Sequence, residues 1–61
     1  MKREEIASAI NENKVVWYDG ARYQVVGYSV VKNLRGVKNY YIILLDLKNM
    51  RTHIQVGIND V

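Results

Sequence analysis

Residues 22 to 31 read Arg-Tyr-Gln-Val-Val-Gly-Tyr-Ser-Val-Val, and the predicted topology depends on this stretch. Tyr23 and Val25 have the same parity, whereas Tyr28 and Val30, which follow Gly27, have the other. Apolar residues at alternate positions are typical of a strand, and a one-residue shift moves them to the opposite face. The pattern predicts one long strand with a β-bulge or sharp bend at Gly27, able to serve two parts of a curved sheet. A straight strand with both faces partly buried is the alternative.

The residues on either side of this strand predict its hairpin neighbours. Residues 15 to 18 are β-formers, and Asp19-Gly20 after them is a strong signal for a tight hairpin turn. On the other side, residues 32 to 39 form a polar loop around Gly36. We therefore predict an antiparallel meander, in which residues 57 to 60 form a short turn and Val61 at most begins a fifth strand. The predicted strands lie near 15-18, 22-31, 40-47 and 51-56.

Residues 2 to 13 differ from the rest of the chain and predict a short helix. Ile6, Ala9 and Ile10 have the i, i+3, i+4 spacing of one apolar stripe, and Glu4 and Glu5 favour the positive end of a helix dipole. A helix of about three turns is barely stable alone in water. We expect its stripe to dock on the sheet.

The strand at 40-47 is apolar on both faces. If Tyr41, Ile43, Leu45 and Leu47 fill the interior of the sheet, then Tyr40, Ile42 and Leu44 on the opposite face need cover. Two interpretations remain open. The N-terminal helix covers these three residues, or they form an interface with a partner, since contiguous exposed apolar surface marks such sites.

This order of elements resembles the SH3-like barrels and, because a helix precedes the first strand, the Sm-like barrels. The stretch Tyr40-Tyr41-Ile42-Ile43-Leu44-Leu45 and the ending Gly57-Ile58-Asn59-Asp60-Val61 resemble strands of bacterial Sm-like RNA chaperones. Residues 52 to 57 have no clear counterpart to the residues that line the RNA pore of those proteins. The resemblance therefore implies a fold and no binding residues: a mainly β, small SH3-like (Sm-like) antiparallel barrel of four to five short strands, preceded by an N-terminal α-helix.

Length and composition restrict the class of protein. Sixty-one residues form a single small domain, 1-61, and the absence of Cys removes disulfides and Cys-rich zinc sites as sources of stability. No apolar run approaches the roughly 20 residues that a membrane span needs, and the first residues lead into no apolar signal core. We expect a cytoplasmic protein without a membrane partner.

Catalytic chemistry has little support in the sequence. There is no Cys, Ser8 and Ser29 lie in no nucleophile motif, and the four glycines are isolated from one another. His53 is the only histidine and has no metal ligands at suitable spacing. We expect no enzyme activity, no cofactor and no metal site, and we place His53 on the surface.

The charge distribution favours nucleic-acid binding. Residues 14 to 61 carry seven cations and three anions, a net charge of +4, whereas residues 1 to 13 carry −1. Cations beside exposed aromatic rings are typical of proteins that stack unpaired bases. The predicted phosphate contacts for RNA or DNA are Lys32, Arg35, Lys38, Lys48 and Arg51, and the predicted stacking residues are Tyr28 and Tyr40. The loop and the turn that carry these cations lie at opposite ends of the 40-47 strand, so they need not form one patch.

A different class of function remains open beside this one. A protein-interaction module or small inhibitor would use the apolar surface of Tyr40, Ile42 and Leu44, or an edge strand. A second copy of the chain is one such partner, since a small domain without disulfides or metal gains stability from oligomerising.

Overall fold

The computed structural model describes all 61 residues as a helical segment followed by a four-stranded antiparallel sheet. The strands follow one another in space in the order β1-β2-β3-β4, and the sheet curls into a half-barrel. The predicted class, mainly β with an N-terminal helix, is confirmed. The elements are a 3-10 turn Arg3–Glu5, α1 Ile6–Asn11, β1 Val15–Tyr18, β2 Ala21–Lys32, β3 Lys38–Asp46, β4 His53–Gly57 and a 3-10 turn Ile58–Asp60.

The first hairpin turns at Asp19-Gly20, as the sequence predicts. Both residues have positive φ, 50° and 79°, which is the requirement of a two-residue type I′ turn. Tyr18 pairs with Ala21 directly across this turn. The turn therefore sets the register of β1 on β2.

The predicted irregularity in the long strand is confirmed. Val25 pairs with Leu44 and Gly27 pairs with Ile43, so Val26 is an extra residue in β2. After the bulge, Tyr28 lies opposite Ile42. Because directly paired residues project from the same side of a sheet, the bulge returns Tyr28 to the face that carries Val25.

The core lies between α1 and one face of the sheet, which we call the helix-covered face. Ile42, Leu44 and Val25 are fully buried there. Ile6 and Ala9 of α1 are 5% and 3% exposed, and Val56 of β4 completes the cluster. Of the two interpretations for Ile42 and Leu44, the structure shows the docked helix. Ile42 and Leu44 therefore fill the interior. Tyr41, Ile43 and Leu45, the other set that could fill it, lie half-buried on the opposite, open face.

The α-helix is shorter at both ends than the predicted helix at 2-13. The first turn is a 3-10 turn, and α1 ends at Asn11 with Glu12 as its C-cap. Asn13 has φ of 53°, in the left-handed region that ends helices. The carbonyl of Lys14 accepts a hydrogen bond from the backbone N–H of Val25, which connects the end of the helix to β2.

The C-terminal residues form no fifth strand. Ile58–Asp60 is a 3-10 turn, and the N-terminal ammonium of Met1 donates hydrogen bonds to the carbonyls of Ile58, at 2.9 Å, and Val61. Ile58 and Val61 also pack against the core. The two ends of the chain therefore meet beside the helix.

The far part of β2 and β3 protrudes from the sheet. β1 pairs only with residues 21 to 24, and β4 only with residues 41 to 45. Residues 30 to 40 therefore form a two-stranded ribbon without neighbours in the sheet, which we call the arm. It contributes to the elongated shape of the molecule, 38 × 20 × 17 Å.

Candidate nucleic-acid interface

The tip of the arm is an ordered turn. The side-chain oxygen of Asn33 accepts hydrogen bonds from the backbone N–H groups of Arg35, at 2.9 Å, and Val37, at 3.0 Å. Gly36 has φ of 82°, a conformation that glycine adopts without strain. The backbone that carries Arg35 is thus held by the arm itself, and Leu34 at the tip is fully exposed.

Two of the predicted phosphate contacts face each other at the base of this tip. Lys32 ends β2, Lys38 begins β3, and the two residues are direct cross-strand partners. Both side chains are exposed. Like charges directly opposite each other destabilise a sheet. No Asp or Glu occurs in the sequence between Asp19 and Asp46, so the arm supplies no carboxylate of its own to offset the two ammonium groups.

The two predicted stacking residues lie together at the root of the arm. Tyr28 and Tyr40 line a cavity of about 260 Å³ with Arg3, Ile6 and Ala7 of the helical segment. Tyr28 is 53% exposed, and Tyr40 is half-buried. The pairings of Tyr28 with Ile42 and of Val30 with Tyr40 put both tyrosines on the helix-covered face, just beyond the helix.

Arg3 adds a cation to this cavity. Its Nη1 donates a hydrogen bond of 3.2 Å to the Tyr40 hydroxyl, and its Cζ lies 5.4 Å from the centroid of the Tyr40 ring, within cation–π range. Sequence reasoning missed Arg3 because nothing in the local pattern indicates that the first helical turn reaches the third strand.

The carboxylates of the helical segment lie around a different cavity. Glu4, Glu5 and Glu12 line it together with Ser8 and Lys14. Arg3 and Ala7 line the tyrosine cavity instead. The segment thus presents its positive charge to the tyrosines and its negative charges elsewhere.

The other two predicted cations do not join this surface. Lys48 and Arg51 lie in the connection between β3 and β4, at the opposite end of β3 from Lys38. Nine residues of extended strand span about 30 Å. The structure therefore brings together Tyr28, Tyr40, Lys32 and Lys38, with Arg35 at the adjoining tip, and adds Arg3; we call these six residues the arm surface.

The predicted apolar interface needs correction. Ile42 and Leu44 are fully buried beneath Ile6 and Ala9, so neither is accessible to a partner in this fold. Tyr40, the third member, is half-buried and belongs to the arm surface. The physical reason is that the apolar stripe of α1 covers this face.

The structure contains no group of three or more His, Cys, Asp or Glu side chains placed so that they could hold a metal ion. His53 is exposed. None of the helices has the length and apolar character needed to cross a membrane. The arm surface offers aromatic rings, ammonium groups and guanidinium groups.

Comparisons with known proteins add no relative to this description. The chain matches no protein-family model, no curated protein and no solved structure.

Proposed function

We propose that the protein is a non-catalytic module that binds single-stranded nucleic acid through the arm surface. The observation that carries the proposal is the placement of two tyrosines and three nearby cations, Arg3, Lys32 and Lys38, along one side of the β2–β3 ribbon. Aromatic platforms beside a line of positive charge are the usual means of holding an unpaired strand.

The lysine pair supports a phosphate contact. Lys32 and Lys38 project from directly paired positions, so their ammonium groups repel each other in the free protein. A phosphate bound between them replaces this repulsion with two attractive interactions. Arg35, in the loop at the tip of the arm, extends the positive charge beyond the lysine pair.

The tyrosines support a base contact. Tyr28 is the more accessible ring, at 53% exposure, while the Tyr40 ring is fixed by Arg3. A base stacked on Tyr28 lies four residues of β2 from Lys32, since the pairs Tyr28–Ile42, Val30–Tyr40 and Lys32–Lys38 follow at successive positions on one face. Four residues of strand span about 13 Å, comparable with two successive phosphate spacings in an extended single strand.

The shape of the sheet agrees with this use. A curled antiparallel meander after an N-terminal helix is the order of elements of the SH3-like and Sm-like barrels, and we retain these barrels as the proposed relationship of the fold. A fold of this kind carries many binding functions, so the proposal depends on the arm surface.

Fluorescence anisotropy of labelled single-stranded RNA and DNA, titrated with the protein at several salt concentrations, tests the proposal. We expect affinity that falls steeply with salt, because bound phosphates release counterions. The double substitution Lys32→Gln/Lys38→Gln removes two phosphate contacts and should reduce the slope of log affinity against log salt by about 1.4.

The matched control is Lys14→Gln/Arg51→Gln, which removes the same charge from two exposed residues outside the arm surface. Tyr28→Leu should weaken binding by about tenfold, whereas Tyr28→Phe should leave it unchanged, because stacking needs the ring and not the hydroxyl. Equal losses from the two double substitutions would show that only net charge matters and would contradict the proposal.

A further inference from the structure

A further groove, open to solvent, lies at the end of the sheet opposite the arm. It is formed where the β1–β2 turn meets the connection after β3, and its volume is about 380 Å³. This is within the range of small-molecule sites in proteins. The residues that line it are Trp17, Gly20, Ala21, Arg22, Asp46, Leu47 and Lys48.

Trp17 forms an aromatic wall of this groove. It is the only tryptophan of the chain and is 69% exposed. Its direct partner across the β1–β2 ladder is Arg22. The strand register places Arg22, Gln24 and Leu45 on the open face. This face is the one opposite the helix and the tyrosines of the arm surface.

Backbone hydrogen bonds hold the opposite wall in place. The N–H of Leu47 donates to the carbonyl of Arg22 at 3.3 Å, which connects the end of β3 to the beginning of β2. The N–H of Lys48 donates to Oδ1 of Asp46 at 2.8 Å. The backbone at Lys48 is thus held close to that of Arg22, and both cationic residues line the groove together with Trp17.

We propose that this groove binds a nucleotide, with the base on Trp17 and the phosphate between Arg22 and Lys48. An exposed indole offers the stacking surface, and the two cations complement a phosphate in charge. No residue of this groove belongs to the arm surface, so the inference does not depend on the proposed function.

Asp46 supports the turn and makes no base contact. It pairs with Tyr23, so its side chain projects from the helix-covered face, and its Oδ1 accepts the Lys48 N–H. Stacking on an aromatic ring tolerates every base. We therefore expect the groove to bind cytidine 5′-monophosphate and uridine 5′-monophosphate alike.

Trp17 supplies its own reporter. Indole emission of the full chain is followed while cytidine 5′-monophosphate, uridine 5′-monophosphate or unphosphorylated cytidine is added, with excitation at the red edge of the indole absorption. We expect saturable quenching by both nucleotides with similar affinity, because stacking on an aromatic ring tolerates every base, and at least fivefold weaker binding of unphosphorylated cytidine.

Variants assign the quenching to the groove. Arg22→Gln and Lys48→Gln should each weaken binding of the cytidine nucleotide at least fivefold. Both side chains are exposed, so neither substitution disturbs the core. Lys32→Gln/Lys38→Gln is the control and should leave the quenching unchanged, which separates this result from the outcome at the arm surface.

Three results would overturn the proposal. One is the absence of saturable quenching by any nucleotide, and another is equal quenching by cytidine and its phosphate. The third is Trp17 emission that shifts with protein concentration but does not change when nucleotide is added. That result would assign the exposed indole to contact between copies of the chain.

Discussion

At the scale of single residues, Ser29 is the one buried polar side chain without a hydrogen-bond partner. Its Oγ is shielded from solvent and meets no partner group in the protein. It lies on the open face, paired with Tyr41 of β3. An unsatisfied buried hydroxyl carries a desolvation cost that no hydrogen bond offsets.

Ser29→Ala should therefore stabilise the protein. We expect the free energy of unfolding in urea to rise by about 1 kcal/mol, because the substitution removes the desolvated hydroxyl. Thr52→Ala is the matched comparison, since the Thr52 hydroxyl accepts a 2.7 Å hydrogen bond from Asn49 Nδ2, and its loss should lower stability. A fall in stability on Ser29→Ala would show that this hydroxyl has a partner in solution.

At the scale of elements, two glycines of β2 and its turn have different roles. Gly20 has φ of 79° in the first hairpin turn. Gly27, next to the bulge, has no positive φ, and a Cβ added there would lie 3.5 Å from Ile43 Cδ1, an ordinary contact. The bulge therefore comes from the pairing register and does not need glycine.

This difference predicts opposite effects of alanine. Gly20→Ala should lower the free energy of unfolding by about 1 kcal/mol, the cost of a Cβ in the left-handed region. Gly27→Ala should be neutral or raise it by about 0.5 kcal/mol, because alanine restricts the unfolded chain. Urea denaturation of both variants measures the two values, and a loss above about 2 kcal/mol at Gly27 would mean that the bulge depends on glycine after all.

Sequence patterns predict the elements well and their packing less well. The parity change after Val25 and the Asp19-Gly20 turn are local signals, and the structure has both features. The strand pattern leaves the interior face open, because Ile42 and Ile43 are equally apolar and only the docking of Ile6 and Ala9 distinguishes them. Periodicity within one strand contains no information about which face another element covers.

At the scale of the whole molecule, stability and the proposed function make opposite demands on the arm. The sequence predicts that Lys32 and Lys38 lie in one hairpin, since the loop between them is short. It does not predict the contact of Arg3 with Tyr40, because two residues 37 positions apart meet only when the helix docks on the sheet. The same limit applies to Trp17 and Lys48, which meet only when the chain is folded.

Lys38→Glu tests this opposition. Glutamate opposite Lys32 replaces a repulsive pair with an attractive one and should raise the free energy of unfolding by about 0.5 kcal/mol. The same change should weaken nucleic-acid binding, because it adds a negative charge at the proposed phosphate contact. Thermal unfolding and anisotropy on one preparation measure both quantities. Binding and stability that rise together would argue against phosphate contact at this pair.

The β1-β2-β3-β4 order has a consequence for how the chain reaches this structure. Every strand pairs with its neighbour in sequence, so each ladder closes across a short loop and costs little chain entropy. Each ladder extends outward from its own turn one residue pair at a time, which favours faster folding than topologies that pair strands distant in sequence. The helix and the contact between the two chain ends join distant parts of the sequence. These contacts complete the core that the hairpins share.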